Sequence, residues 1–329
     1  MKPEAKSKKV LNYTQAISKM IEFNVSEHEM IEQQEKMFYG RPEDLFSLVI
    51  GILVDYSSLL FKEPLSSPKI QNQKNNIRFC AIFLDYYKNT NRLSELNNYF
   101  LLVGAVAYYL ADLPGSANVL CSKIKIDGLQ LTESKIEQPL FWILKGDLSK
   151  YKYDYPLIEG FKEIVDLSIS FFSEGKIDNK DILIQRICEY KNYLLSSLSD
   201  REIILFYLFY SVLIKKLNNS SILLLPAFTD IDLNIWLPII KKKNFIKELW
   251  PAQILLGENS IFKGKSAVIQ MPTSAGKTKS TELIIRSSIL SKKTNVVVVI
   301  APFKSLCHEI SIDYEKAFYK ENNIKIKVS

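Results

Sequence analysis

Histidine and cysteine are scarce in this sequence. Among 329 residues there are two histidines, His28 and His308, and four widely separated cysteines, none of them in a CxxC pair. A structural zinc site needs about four such ligands at short spacing, so the composition argues strongly against a zinc protein. Cysteines this far apart indicate free thiols and a cytoplasmic location.

Glycine, proline and long apolar runs are also limited. Eleven glycines and twelve prolines are fewer than a loop-rich β-sandwich needs, which favours a helical protein. Two apolar stretches resemble membrane spans, but residues 45–61 are interrupted by Asp55, and residues 203–214 are too short for about 30 Å of hydrocarbon. Met1 to Lys9 is polar and basic and has no apolar stretch behind it. We therefore expect core helices, no signal peptide and no membrane partner.

Positive charge is concentrated in the last quarter of the sequence. Residues 241–329 contain 16 Lys and Arg against 7 Asp and Glu, whereas the remaining residues contain 27 against 29. A local excess of +9 suits a polyanionic partner, and the alternative is a set of lysines that only keeps a small domain soluble.

Residues 1–217 show helical spacing nearly throughout, without an internal repeat. Turn residues such as Leu113-Pro114-Gly115 and Leu198-Ser199-Asp200 separate the helical segments. This pattern predicts an irregular all-α domain. Residues 218–248 lack helical spacing and are predicted to be a connector on the domain surface. The predicted helices, each with apolar residues three and four apart, include Leu45–Leu60, Phe79–Tyr87, Tyr99–Leu110, Ile158–Phe172 and Ile182–Leu195.

Residues 249–329 alternate between helix and strand patterns. This order is typical of a parallel sheet covered by helices, so the predicted fold class is α + α/β, with an incomplete RecA-like domain at the C-terminal end. Three strands leave one edge open, and we therefore expect this chain to be the N-terminal part of a longer protein. The predicted elements are helix 251–261, strand 266–271, helix 277–290, strand 294–301 (buried on both faces), helix 304–319 and strand 324–328.

The strongest motif is Met271-Pro-Thr-Ser-Ala-Gly-Lys-Thr278, between a predicted strand and a predicted helix. This is the context of a phosphate-binding loop, in which backbone N–H groups and a helix N-terminus surround phosphates. Met271 stands where the usual pattern has Gly or Ala. Lys277 and Thr278 are the predicted catalytic residues: Lys277 would reach the β- and γ-phosphates, and the Thr278 hydroxyl would bind Mg²⁺. The predicted cofactors are ATP and Mg²⁺, and the loop residues that would hold the nucleotide are Thr273, Ser274, Ala275 and Gly276.

Residues 272–278, PTSAGKT, resemble motif I of superfamily 2 helicases, in the branch of the superkiller RNA helicase and the polymerase theta helicase. Leu249-Trp-Pro-Ala-Gln253 is similar to the segment around the adenine-binding glutamine of that family, and Val299–Leu306 is similar to motif Ia. The resemblance implies that Gln253 binds adenine; a helix-capping glutamine is the alternative. It also implies that motif Ia contacts the nucleic-acid backbone through Pro302, Phe303, Lys304 and Ser305, and a plain strand-to-helix loop is the alternative.

The family's next motifs are absent from these 329 residues: the acidic DExH strand, and a second RecA-like domain with arginine fingers. The resemblance implies an ATP-dependent helicase that acts on single-stranded DNA or RNA. The 329-residue chain is expected to bind ATP without hydrolysing it.

The helical domain has no catalytic constellation and no basic excess, so a protein partner is its predicted ligand. A helical domain before the motor is similar to the architecture of large antiphage helicases, such as the helicase subunit of Hachiman. Two alternatives stay open: a P-loop NTPase sensor that does not act on nucleic acid, and a helical protein-interaction module.

Overall fold

In the computed structural model the chain forms two compact units. The first contains Met1–Ser168 and Asp181–Lys215, and the second contains Ile169–Lys180 and Lys216–Ser329. The predicted strand 324–328 lies outside the described residues. The structure describes residues 14, 16, 42–90, 97–125, 129, 136–146, 159–197, 199–272, 275–319 and 321.

The N-terminal part of the chain is helical, as its spacing predicts. A π-helix, Ser170–Glu174, follows α7 and ends at Gly175, which has a left-handed φ of 73°. Ser199 and Glu202 begin α9 with a capping interaction, since the Glu202 carboxylate accepts hydrogen bonds from the backbone N–H and the hydroxyl of Ser199. The helices are α1 Pro42–Leu60, α2 Pro68–Asn72, α3 Lys74–Thr90, α4 Asn97–Leu110, α5 Pro114–Lys123, α6 Glu137–Leu144, α7 Glu159–Ile169, α8 Asn179–Ser197 and α9 Asp200–Asn218.

Helix α4 lies at the centre of the first unit. Its residues Leu102, Val103 and Val106 are fully buried. At Gly104 an added Cβ would lie 3.2 Å from Leu120 Cδ1, so the glycine allows α5 to approach closely.

A buried lysine caps the carbonyl groups at the C-terminal end of α4. Lys215 Nζ donates hydrogen bonds to the backbone carbonyls of Tyr109 (2.7 Å) and Leu110 (3.1 Å), and it pairs with Asp112 Oδ1 at 2.6 Å. Lys74 pairs with the other oxygen of the Asp112 carboxylate at 2.8 Å. Burial by itself raises the pKa of Asp112, but the two ammonium groups outweigh it and hold the pKa below its ordinary value.

Acid is expected to destabilise the first unit through Asp112. Because its folded-state pKa lies below the unfolded value of about 3.9, its stabilisation is complete above that value and is lost as the pH falls through the folded-state pKa. Asp112→Asn tolerates the same left-handed backbone (φ 64°) and should show a shallower loss between about pH 5 and pH 2. Urea unfolding across that range measures this, with Asp55→Asn on an exposed face of α1 as control. Equal acid slopes for Asp112→Asn and the wild type would contradict the assignment.

The predicted connector contains two helices, α10 Ser221–Thr229 and α11 Leu233–Ile240. The expectation of a segment without helices was wrong, because α10 is apolar on nearly every side and therefore shows no periodic polar stripe. Pro226 lies inside α10 without ending it. Trp236 of α11 is completely buried, and its indole N–H donates to Thr229 Oγ1 at 3.1 Å.

The C-terminal helices agree with the predicted pattern. They are α12 Pro251–Glu258, α13 Lys277–Leu290 and α14 Lys304–Ala317, with a 3₁₀ turn at Ile261–Lys263. Ile285 of α13 packs with Tyr314 and Phe318 at the end of α14. None of the helices in the described part of the chain is long and apolar enough to span a membrane.

The two predicted strands that fall within the described residues are not paired. Residues 266–271 and 294–301 have no ladder partner there, and the described part of the chain holds one isolated bridge, Ser220 to Glu248. The expected burial of 294–301 on both faces was wrong, since Val296 is 75% exposed and Ile300 is 89% exposed. A parallel strand is buried only when neighbouring strands and covering helices lie against it, and no described strand does so here.

Candidate nucleotide-binding site

The predicted phosphate-binding loop leads directly into α13. Gly276 precedes the helix with a left-handed φ of 83°, and its carbonyl accepts hydrogen bonds from the backbone N–H of Ser280 (2.9 Å) and from Ser280 Oγ (3.1 Å). Lys277 and Thr278 occupy the first turn of α13 and are exposed. The first N–H groups of a helix have no acceptor within it and carry a partial positive charge. This end of α13 therefore fits the phosphate end of a nucleotide.

The sequence determines this local structure. Glycine adopts positive φ without steric cost, and 14 residues of good helical spacing follow it. A Mg²⁺-bound triphosphate requires an ammonium, which Lys277 offers, and a hydroxyl ligand for Mg²⁺, which Thr278 offers. Phosphate oxygens and water supply the other Mg²⁺ ligands. The described residues of the loop therefore fit ATP with Mg²⁺.

Gln253 lies next to the loop. It is 2% exposed, and its Oε1 accepts a hydrogen bond from the backbone N–H of Trp250 at 2.8 Å. A Cβ on Gly276 would lie 3.1 Å from Gln253 Nε2 and 3.7 Å from Trp250 Cε3. The structure thus places Gln253 as a helix cap and also brings its amide against the loop glycine.

Backbone pairing fixes the segment before α12. Ser221 N–H donates to the carbonyl of Lys247 (2.9 Å), and Leu249 N–H donates to the carbonyl of Asn219 (2.8 Å). The buried ion pair of Lys216 with Glu248, at 2.5 Å, lies in the same place. These contacts hold Trp250 and the start of α12 in position.

The predicted nucleic-acid residues lie at the start of α14. Pro302, Phe303, Lys304 and Ser305 are all exposed, with Phe303 at 68%, and Phe303 is the N-cap residue. Pro302 and Phe303 precede this 14-residue helix, and Lys304 and Ser305 are its first two residues. All four therefore lie beside the N-terminal N–H groups of the helix, which can bind a backbone phosphate. His308 is exposed, and the Cys307 thiol is partly buried near the carbonyl of Ala301.

A buried charge network holds α13 against the residues after α14. Arg286 is 1% exposed and donates from Nε to Glu282 Oε1 (3.0 Å), from Nη1 to Glu321 Oε2 (2.6 Å) and from Nη2 to the carbonyl of Ala317 (2.6 Å). Glu282 also pairs with Lys279 of the first helical turn at 2.8 Å. The network therefore begins two residues after Lys277.

The structure brings together part of the predicted site. Gln253 and Gly276 are in contact, Ala275 donates its N–H to the carbonyl of Pro272 at 3.2 Å, and Lys277 and Thr278 are exposed beside them. Thr273 and Ser274 lie outside the described residues. Sequence reasoning missed the Arg286 network, although Glu282 and Arg286 are four residues apart on one helix, a spacing that signals an ion pair. It also assigned no role to Trp250.

The comparison with protein families shows which class of protein the C-terminal part of the chain resembles. Residues 252–329 match the family model of the DEAD/DEAH box helicases. The resemblance of this part of the chain to superfamily 2 helicases is thereby confirmed.

A curated relative extends the similarity beyond that domain. The chain is 27% identical over 263 residues to the Hachiman protein HamB of Bacillus cereus, an alignment that covers 72% of this chain and 22% of the relative. The chain thus spans about a fifth of the length of that relative. No solved structure matches the chain.

Proposed function

We propose that this chain binds ATP with Mg²⁺ at the start of α13 and belongs to an ATP-dependent nucleic-acid helicase or translocase. The observation that carries the proposal is Gly276 in a left-handed conformation directly before exposed Lys277 and Thr278, within residues that match a helicase domain. Lys277 would bind the β- and γ-phosphates, Thr278 would ligate Mg²⁺, and Thr273, Ser274 and Ala275 would contribute the loop. Gln253 is the residue of α12 that is proposed to contact the nucleotide.

Nucleic acid is the proposed partner of the start of α14. Phe303 offers an exposed aromatic face for a base, and Lys304 and Ser305 offer a cation and a hydroxyl for phosphates. The excess of positive charge in residues 241–329 supports this proposal. Contacts of this kind bind the sugar-phosphate backbone of single-stranded DNA or RNA and show little sequence preference.

Antiviral defence in the cytoplasm is the proposed setting. The similarity to a Hachiman protein supports the defence role, and four free thiols support a reducing compartment. The helical domain of the proposed domain division, residues 1–217, would bind a protein partner. The helicase domain would begin near residue 249, after the connector of residues 218–248.

The nucleic-acid proposal is tested by the binding of fluorescent single-stranded oligonucleotides at several salt concentrations. Lys304→Ala should weaken the binding of DNA and RNA alike and lower the salt slope by about 0.7, the value for one phosphate contact on a single strand. Lys176→Ala is the matched control, an exposed lysine paired with Glu174.

Salt-independent or absent binding by the wild-type chain would instead favour a P-loop NTPase sensor. A protein that binds the first unit with the same affinity with and without nucleotide would favour a helical interaction module.

A further inference from the structure

The aromatic ring of Phe228, on α10, lies directly on the backbone of α12 at Gly257. A Cβ added to Gly257 would lie 2.1 Å from Phe228 Cδ2 and 2.4 Å from Phe228 Cγ. Carbon atoms in favourable contact are about 3.5–4.0 Å apart, so at this position only a glycine leaves room for the ring. Gly257 is buried and Phe228 is half-buried. The two helices are therefore in close contact at this point.

Polar contacts hold α10 on both sides of that point. At its start, Ser221 donates from its N–H to the carbonyl of Lys247 (2.9 Å) and from its hydroxyl to the carbonyl of Ile246 (2.8 Å), shortly before α12 begins. At its end, Asp230 pairs with Lys263, shortly after α12, at 2.7 Å. Helix α10 is thus joined to the chain before α12, to α12 itself and to the chain after it.

Gln253 lies one helical turn before Gly257 on α12. Residues four apart are neighbours on the surface of a helix, so a shift of α12 at Gly257 also moves Gln253. The ring that fixes Gly257 comes from α10, which lies outside the residues that match the helicase model, 252–329. The position of Gln253 therefore depends on a segment that precedes the matched residues.

We propose that Phe228 is a positioning residue for the adenine contact of Gln253, an inference that rests on the proposed nucleotide site. The Phe228 ring fixes α12, and α12 places the amide of Gln253 at the base. The groups that would bind the phosphates, Lys277 and Thr278, belong to α13 instead. Loss of the ring should therefore weaken the binding of the base and leave the binding of the phosphates unchanged.

The test compares Mg-ATP with Mg-tripolyphosphate, which carries no base, by calorimetry on the 329-residue chain. Phe228→Ala removes the ring and should weaken Mg-ATP about tenfold, the value of one hydrogen bond, with Mg-tripolyphosphate unchanged. Gly257→Ala inserts a methyl group into the place of the ring and should have the same effect. Leu255→Ala, which changes an exposed residue of the same helix, is the matched control and should bind both ligands as the wild type does.

Two double variants test how Phe228 acts. Gly257→Ala should cost no further affinity in the Phe228→Ala chain, since the ring that its methyl group would meet is gone. Phe228→Ala should cost no further affinity in the Gln253→Ala chain, because it acts through that side chain. Losses that multiply in either pair would show independent effects and overturn the inference.

The single variants can also overturn it. Equal losses of the two ligands in Phe228→Ala would show a general loosening of the site, and unchanged affinities would show that the ring has no role. Thermal unfolding shows whether Phe228→Ala is folded. If it is not, Gly257→Ala decides: a selective loss of Mg-ATP supports the inference, and wild-type affinity overturns it.

A failure of the proposed function gives a different result. A wild-type chain that binds neither ligand has no nucleotide site, and a Gln253→Ala chain that keeps its full affinity for Mg-ATP has no adenine contact at Gln253. Either result overturns the inference as well. Wild-type binding of both ligands, with a selective loss of Mg-ATP in Gln253→Ala but none in Phe228→Ala, overturns the inference alone.

Discussion

Lys277→Ala is expected to lower the affinity of the chain for Mg-ATP by about 100-fold. Lys277 is exposed at the first turn of α13, next to Gly276, where its ammonium would reach the phosphate oxygens of a bound nucleotide. Charge-assisted hydrogen bonds of this type contribute about 1.5–3 kcal/mol each, and the variant removes the donor of at least one of them. Calorimetric titration with Mg-ATP measures the loss, and the thermal stability of the variant should match the wild type, since an exposed side chain is removed.

The matched control is Lys292→Ala, which removes an exposed lysine just after the other end of the same helix. It should retain wild-type affinity. Equal losses in the two variants would show that bulk positive charge attracts the nucleotide and would contradict a specific site at Lys277.

The wild-type chain should show no ATP turnover, because the residues that orient the attacking water in this family, an acidic DExH motif, are not in its sequence. Turnover that Lys277→Ala abolishes would contradict this expectation.

Arg286→Met is expected to destabilise the second unit by about 3–5 kcal/mol. The arginine neutralises two carboxylates, Glu282 and Glu321, and it also caps the carbonyl of Ala317 at the end of α14. Removal of the guanidinium leaves each of these two buried carboxylates with a single lysine, Lys279 for Glu282 and Lys242 for Glu321, and loss of one partner of a buried pair costs far more than the net value of the intact pair. The Phe318 ring, 4.3 Å from the guanidinium carbon, loses a cation–π contact as well. Hydrogen exchange of α13 and α14 localises the effect, and urea unfolding measures it.

Two comparisons make the Arg286 prediction specific. Arg186→Met removes an exposed arginine that pairs with Glu163 and Glu189, and it should change the stability very little because water screens those pairs. The triple variant Arg286→Met, Glu282→Gln, Glu321→Gln removes the two carboxylate charges together with the arginine and should regain much of the loss. A single variant as stable as the wild type would show that the network contributes nothing.

Helix boundaries at the nucleotide site were predictable because they depend on local chemistry. The spacing and the glycine before it predicted helix 277–290, and the structure has α13 at Lys277–Leu290. Pro251 was predicted at the first turn of its helix, and it is the first residue of α12. Proline fits a helix start since the missing N–H has no partner there in any helix. The residue types that the loop requires were equally visible in the sequence.

Other features were not predictable because local spacing does not encode them. Helix α10 is buried or half-buried along nearly its whole length, so the polar stripe by which a surface helix is recognised is missing, and α11 is a short helix of eight residues with Pro238 inside it. Conversely, residues 294–301 have the composition of a buried strand, but burial depends on neighbours that no local pattern supplies. Their exposure in the described structure shows that composition predicts the preference of a segment for strand structure but not the strands and helices that pack against it.

The sequence by itself determined the helical character of the chain, the phosphate-binding loop before α13 and the concentration of positive charge in the last quarter. Each depends on residues that are close together in the chain, where propensity and spacing act directly. Only the tertiary structure decided that Gln253 and Trp250 lie against Gly276, that Arg286 joins Glu282 to Glu321, and that Lys215 closes α4 through Asp112. These contacts join residues that are more than twenty positions apart in the sequence, except for the bond between Arg286 and Glu282, which are one helical turn apart. They form because packing of the whole unit, and not the preference of any single segment, brings those side chains together.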